Sequence, residues 1–192
     1  VGIAINEKEA TRYYKIAANE GNIKSMFMYG VQLVNGKGTP INKEEACKYY
    51  KMAADKGQVN AMNNYAFMLD NGLGVKSNKE EACKYYKMAA DNDHVNSMYN
   101  YGLMLYNGIG VAMNKTEALK YYKKAADKGH VEAMYNYAFM FENGISVTAN
   151  IGHACYYYDM ALKKGHVKST YKIECMFEKG IYYTKNLKTA CY

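Results

Sequence analysis

The chain has 192 residues, 49% of them hydrophobic, one proline and a formal net charge of +7. That supplies a sizeable core, yet no apolar run approaches the ~20 residues of a membrane-spanning helix. The lack of Pro-, Ser- or Gly-rich tracts speaks against linkers and disorder.

The first five residues, Val1–Ile5 (VGIAI), look like the tail of something, and the match lies downstream at Ile109–Met113 (IGVAM). From Asn6 a 36-residue block repeats at 6–41, 42–77, 78–113, 114–149 and 150–185. The second and third blocks agree at 25 of 36 positions without a gap. Residues 186–192 (NLKTACY) match the opening of a block, as in Asn78–Lys84 (NKEEACK). The chain is therefore read as one array of about five supersecondary units with partial units at both ends. Neither end has the polar look of a solenoid cap, so the expectation is a segment of a longer protein.

Within each block, numbered from its asparagine, the first element is a helix. Column 1 is Asn6, Asn42, Asn78, Asn114 and Asn150, and column 4 is Glu9, Glu45, Glu81 and Glu117 in the first four blocks. Asn-x-x-Glu is a capping-box pattern that satisfies the free amides of a first turn. Apolar residues follow at columns 5, 8, 9, 12 and 13, as in Ala46, Tyr49, Tyr50, Ala53 and Ala54, the stripe of an amphipathic helix. Gly21, Gly57, Gly129 or Gly165 stops it at column 16; Asp93 takes that place once. A second helix is expected over about columns 18–30, with Val59, Ala61, Met62, Tyr65, Ala66, Met68 and Leu69 on its apolar side in the second block. Asn71-Gly72 ends it, and Gly-x-Gly-Val leads on. One hairpin cannot bury these faces alone, so neighbours must stack. The fold class expected is all-α: a right-handed α/α superhelical solenoid of helix-turn-helix repeats.

The pattern A-x-x-Y-Y-x-x-A-A-x-x-G, then A-x-x-x-[YL]-[GA]-x-x-[LY]-x-x-G-x-G-V, on this period, resembles the Sel-one-like repeat (SLR). It stands here as Ala82, Tyr85, Tyr86, Ala89 and Ala90, then Ser97, Tyr101, Gly102 and Gly108-Ile109-Gly110-Val111. The resemblance implies a solenoid related to tetratricopeptide repeats, and adaptors that scaffold protein complexes. Some secreted bacterial members pin each hairpin with a cysteine pair; here only the fifth block has two cysteines, Cys155 and Cys175. Packed thiols in a reducing, cytoplasmic compartment are the expectation.

Chemistry-bearing residues mostly repeat with the block. His94, His130 and His166 occupy column 17, in the turn, too far apart for one metal ion. Gly72-Leu73-Gly74 follows a helix rather than a strand, which removes the context of a phosphate loop. No convergent catalytic, cofactor-binding or metal constellation is recognisable, so neither enzyme activity nor a cofactor is expected. Two basic rows remain: Lys48, Lys84 and Lys120 at column 7 after Arg12, and Lys15, Lys51, Lys87 and Lys123 at column 10. Much of this charge pairs within its own helix, as in Glu44–Lys48 and Lys51–Asp55. By analogy with tetratricopeptide arrays, column 10 lies along a concave groove suited to an acidic or amphipathic segment of a partner protein. The fifth block breaks the rows with Tyr156 and Asp159, and also departs at Thr170, Lys172 and Glu174. The function expected is a protein–protein interaction scaffold. The alternative is a static component of a large assembly bound through tyrosine-rich faces, and a remote one is non-specific nucleic-acid binding through the lysine rows.

Overall fold

The computed structural model describes residues 6–178 and 180. They form ten α-helices and, among the described residues, no strand. In chain order these are α1 (Glu7–Asn19), α2 (Ile23–Asn35), α3 (Lys43–Asp55), α4 (Val59–Asn71), α5 (Lys79–Asp91), α6 (Val95–Asn107), α7 (Lys115–Asp127), α8 (Val131–Glu142), α9 (Ile151–Lys163) and α10 (Val167–Glu178). The chain divides into two compact units, the first ending at His94 and the second beginning at Val95. The first holds α1–α5 and the second α6–α10.

Each odd-numbered helix starts as the capping pattern requires. The side chains of Asn6, Asn42, Asn78, Asn114 and Asn150 accept the amide three residues on. The reciprocal half of the capping box is altered. The Asn42 amide is already used, donating to the Leu33 carbonyl at the end of α2 at 3.0 Å, and Asn78 does the same to Leu69. Glu45 and Glu81 therefore turn aside. Each takes a bond from the asparagine side chain and presents its other oxygen to a tyrosine of the preceding helix, Tyr29 or Tyr65. One glutamate thus braces the capping asparagine of its own helix and ties that helix to its neighbour.

In the first unit, the even helices pack on the odd helices that follow them through this seam. Tyr29 meets Tyr49, and Tyr65 meets Tyr85, edge-on with ring centroids 4.8 Å apart. Such pairs add roughly 0.5–1.5 kcal/mol beyond the area they bury. The second unit repeats the motif with Tyr101–Tyr121 at 4.7 Å and Tyr137–Tyr157 at 4.7 Å. Small residues set the depth of contact: a side chain at Gly30 would stand 2.6 Å from the Tyr50 ring, and one at Gly102 2.9 Å from Tyr122. The tyrosines of columns 8, 9 and 24 are largely interior; Tyr50, Tyr65, Tyr85, Tyr86, Tyr122 and Tyr158 are all buried. Tyr13 and Tyr171, by contrast, are exposed.

The Gly-x-Gly turn closes each hairpin from the other side. Gly74 has φ +70° and lies so close to the first turn of α3 that an added methyl would stand 2.3 Å from the Lys43 carbonyl carbon. Gly38 approaches the Glu7 carbonyl in the same way, and Thr11 donates to the Lys37 carbonyl beside it at 2.8 Å. Asp93 takes the left-handed conformation expected of it, with φ 66°, and Ser146 holds φ 57° where the earlier blocks have glycine.

Candidate functional site: the lysine rows

The lysines of column 10 lie on the exposed side of the odd helices, one turn before their ends. Lys51 reaches Asp55 at 2.8 Å, Lys87 reaches Asp91 at 2.6 Å and Lys123 reaches Asp127 at 2.7 Å. Lys15 has Asn19 rather than an acid at the matching position, and crosses instead to Glu45 of α3 at 3.2 Å. The residues at the acid position are themselves engaged. Tyr85 donates to Asp55 across the hairpin junction, Tyr157 donates to Asp127 at 3.3 Å, and in the first block Tyr49 donates to the Asn19 amide oxygen at 2.6 Å. Lys51 also touches the Tyr85 hydroxyl at 3.4 Å. Partial burial pushes the Asp55 carboxyl up, but Lys51 and Tyr85 outweigh it and hold the group below its ordinary range. Asp55 thus stays charged at neutral pH, and the pair is fixed at both ends.

The rows are therefore ladders of tethered ion pairs. Lys51, Lys87 and Lys123 keep about half of their side-chain surface in water, at 45%, 48% and 52%. Exposed pairs of this kind contribute little to stability, about 0–1 kcal/mol each. What they do is orient the ammonium ends and offset the charge of each paired lysine. Column 7 is more open. Lys48 pairs with Glu44 at 2.7 Å, and both side chains are about 70% exposed, at 68% and 70%. Lys84 is exposed, and its charge also helps keep Asp55 ionised. Lys120 is exposed on α7. Where the fifth block departs, Asp159 is drawn in to 14% side-chain exposure against Lys163, 2.6 Å away, and the half-buried Tyr156 lies edge-on to Tyr157 at 5.3 Å.

The floor between the rows is inert. Burial raises the Cys47 and Cys83 thiols to about 11, so the nucleophilic thiolate is scarce at neutral pH. Cys155 Sγ rests 3.2 Å from Met176 Sδ, and Cys175 sits beside Tyr171. The four described cysteines are free thiols; Cys191 lies outside the described residues. No group of three or more His, Cys, Asp or Glu among the described residues is placed to hold a metal ion. No helix there is long and apolar enough to cross a membrane.

Two roles went unread in the sequence. The turn histidines cap helices: His130 and His166 accept the amides of Ala133 and Ser169 on Nδ1, each at 3.2 Å, as Asn22 and Gln58 do with their side-chain oxygens. The signal was there, because column 17 holds Asn, Gln and His, all acceptors. Second, Lys172 grips both oxygens of Glu142 at 2.8 and 2.9 Å, and Tyr158 donates to the same carboxylate at 2.6 Å. The two oddities, Lys172 and Glu142, compensate each other across 30 residues.

The Sel1 repeat family profile matches residues 1–22, 23–58, 59–94, 95–130 and 131–166. Its frame starts at the even helices, so each full copy joins an even helix to the odd helix after it. Among solved structures, the chain is similar to a protective antigen of uropathogenic Escherichia coli displaying an SLR fold. That match has 27% identity and a TM-score of 0.88, over 95% of this chain and 39% of that one. It is also similar to a Sel1 repeat protein from Oxalobacter formigenes, with 26% identity and a TM-score of 0.81 over 96% of this chain and 74% of that one. Helicobacter pylori cysteine-rich protein B aligns at 25% identity and a TM-score of 0.51, over 66% of this chain and 90% of that one. No curated protein matches. The chain spans about two fifths of the Escherichia coli antigen. With helical hairpins throughout the described residues and the family's repeat recurring over most of its length, the chain is an α-solenoid protein belonging to the Sel1-repeat family.

Proposed function

We propose that the chain is a binding scaffold that holds a segment of a partner protein against the exposed face of its odd-numbered helices. Sel1-repeat proteins generally mediate protein–protein interaction and are typically non-catalytic. The observation that favours this face is the tethering of Lys51 by Asp55, with Tyr85 holding that carboxylate in turn. An ammonium already fixed in place loses little further freedom when it meets a ligand. Lys15 and Lys87 offer the same in the first unit, and Lys123 in the second. Lys48, Lys84 and Lys120 add less constrained charge beside them, and Asp159 with Tyr156 marks where the lining changes. Because most of the lysines have internal carboxylates, recognition here is short-range. A partner carboxylate enters by taking over part of an existing pair, which favours a segment with alternating acidic and apolar residues over a uniformly acidic one. The described cysteines are free thiols, which supports a reducing compartment, and we place it in the cytoplasm.

The test is a photo-crosslinking residue at position 48 or 84, on the face, against one at position 37 or 76, in the Gly-x-Gly turns. Cross-linking in native cells is expected to give one common adduct from the face positions only. The charge-swapped double variant Lys51→Asp/Asp55→Lys keeps an ion pair while inverting the ladder, and is expected to lose the adduct. Equal adducts from turn and face, or an adduct indifferent to the swap, would refute the reading.

A further inference from the structure

The second unit contains a cavity of about 250 Å³ between α6, α7 and α8. Four rings line it, those of Tyr106, Tyr122, Tyr135 and Phe139, together with the amide of Asn136. Thirty-six residues later the same place in the fold is filled from within. There Glu142 stands for Tyr106, Tyr158 for Tyr122 and Lys172 for Asn136. The Lys172 ammonium lies 5.6 Å from the Phe139 centroid and 6.0 Å from the Tyr158 centroid, and is neutralised by Glu142 at 2.8 Å. In the earlier repeat Asn136 brings an uncharged amide to the wall where Lys172 brings an ammonium, and the carboxylate is replaced by a further ring.

The comparison sets the chemistry. At the later junction the pocket holds a cation between ring faces. At the earlier one the rings are more numerous and no carboxylate lines the wall. A primary ammonium is strongly hydrated and needs acceptors for its N–H groups. A quaternary ammonium has no N–H and needs only the negative faces of the rings. Tyr122, fully buried at the base, is held by Asn136 and packed 6.4 Å from Tyr106 and 6.1 Å from Tyr99, so the cage is already built. One charge opposes the ligand: Lys115 lies 5.2 Å from the Tyr106 centroid. It occupies part of that ring's field at the rim, and its removal is expected to help.

We propose that this cavity is an aromatic cage for a quaternary ammonium group, carried either by a small molecule of the choline class or by a trimethylated lysine.

The experiment is a titration of the 192-residue protein, followed by calorimetry and NMR, with choline and its neutral isostere 3,3-dimethylbutan-1-ol. A short peptide containing one trimethyllysine and its unmodified twin form the second pair. Choline is expected to bind about ten-fold more tightly than the isostere, the effect of a desolvated cation on rings. Tyr106→Leu is expected to remove most of that preference; the position tolerates change, since Val34 and Asp70 stand there in earlier blocks. Lys115→Met is expected to strengthen choline binding several-fold. A trimethyllysine peptide bound more tightly than choline assigns the cage to a protein tail, and equal binding assigns it to the small molecule. Equal affinity within both pairs, choline against its isostere and methylated against unmethylated peptide, would overturn the proposal, as would equal affinity of wild type and Tyr106→Leu for the preferred ligand. So would weaker choline binding on removal of Lys115, because a cation held on the ring faces must gain when the competing ammonium is taken away.

Discussion

A methyl group added at Gly74 costs far more than one added at Gly72, two residues away. Both glycines have left-handed backbones, with φ +70° and +66°. The conformational penalty for an L-residue is therefore shared, at about 1–2 kcal/mol. Their surroundings differ. At Gly72 the new atom meets nothing nearer than 3.6 Å, whereas at Gly74 it stands 2.3 to 2.5 Å from three backbone atoms of Lys43 and Glu44. Those atoms belong to the capped first turn of α3 and cannot swing aside as a side chain does. Forcing them apart adds about 1–3 kcal/mol of overpacking strain. Gly74→Ala is thus expected to lose about 2–5 kcal/mol. With a urea slope of about 2 kcal/mol/M, the unfolding midpoint should fall by about 1–2.5 M for Gly74→Ala and about 0.5–1 M for Gly72→Ala. Circular dichroism at 222 nm reads both. Equal midpoints would show that the turn does not press on the helix, and that backbone angle alone selects glycine there.

The fourth block offers the converse: Ser146 pays a left-handed cost that its glycine counterparts avoid, so Ser146→Gly should raise stability by about 0.5–1 kcal/mol, seen as a higher urea midpoint. Stability should also fall on acidification below about pH 6.5. Burial lowers the pKa of His94 and His130, and burial aided by Lys123 lowers that of His153. The unfolded chain therefore takes up protons first, and stability present above the unfolded pKa drains away as pH falls through the folded one. His130→Asn keeps the capping acceptor and should flatten part of that slope in a pH series of thermal melts; an unchanged slope would show that His130 contributes none of it. Glu142 and Lys172, with 22% and 25% of their side chains exposed, should couple by about 1–2 kcal/mol in a Glu142→Gln/Lys172→Asn double-mutant cycle, between a surface pair and a buried one. A coupling under about 0.5 kcal/mol would mean that solvent screens the network.

Local chemistry made the helices readable before any coordinates. Asn42 and Glu45 announce a start, Gly57 a stop, and Tyr49, Tyr50, Ala53 and Ala54 the buried stripe, because each acts within a few residues of itself. The pairs within one helix, Lys51–Asp55 and Glu44–Lys48, were readable for the same reason. Bonds that span a junction were not. Tyr29 to Glu45 and Tyr85 to Asp55 link columns whose proximity follows only from how helices stack. The fifth block shows the limit best. Lys172 looked like a loss of pattern, and only the placement of Glu142 shows it to be one half of a pair. The cavity beside Tyr106 was equally hidden, since it depends on which side chains fall short rather than on which are present.

A repeating sequence defines a period but leaves its phase open, and the bonds decide the phase. The seam between an even helix and the odd helix after it carries the tyrosine pairs, the Tyr29–Glu45 and Tyr65–Glu81 bonds, the amide of Asn42 on Leu33 and the tight fit of Gly30 on Tyr50. Within a block, by contrast, the two helices meet through fewer such bonds, as where Asn136 holds Tyr122, and through the turn at Gly74 or Gly38. The sturdier element is therefore the one framed by residues 23–58 and 59–94, as in the family profile, with the asparagine cap inside it rather than at its edge. That choice has a consequence for binding. Positions that make the seam repeat because every junction needs them. Positions just outside it, such as column 29 with Val34, Asp70, Tyr106 and Glu142, vary freely because no shared bond constrains them. Specific recognition can be written there without weakening the stack, and the aromatic cavity at Tyr106 and the Glu142–Lys172 pair are two different uses of the same column.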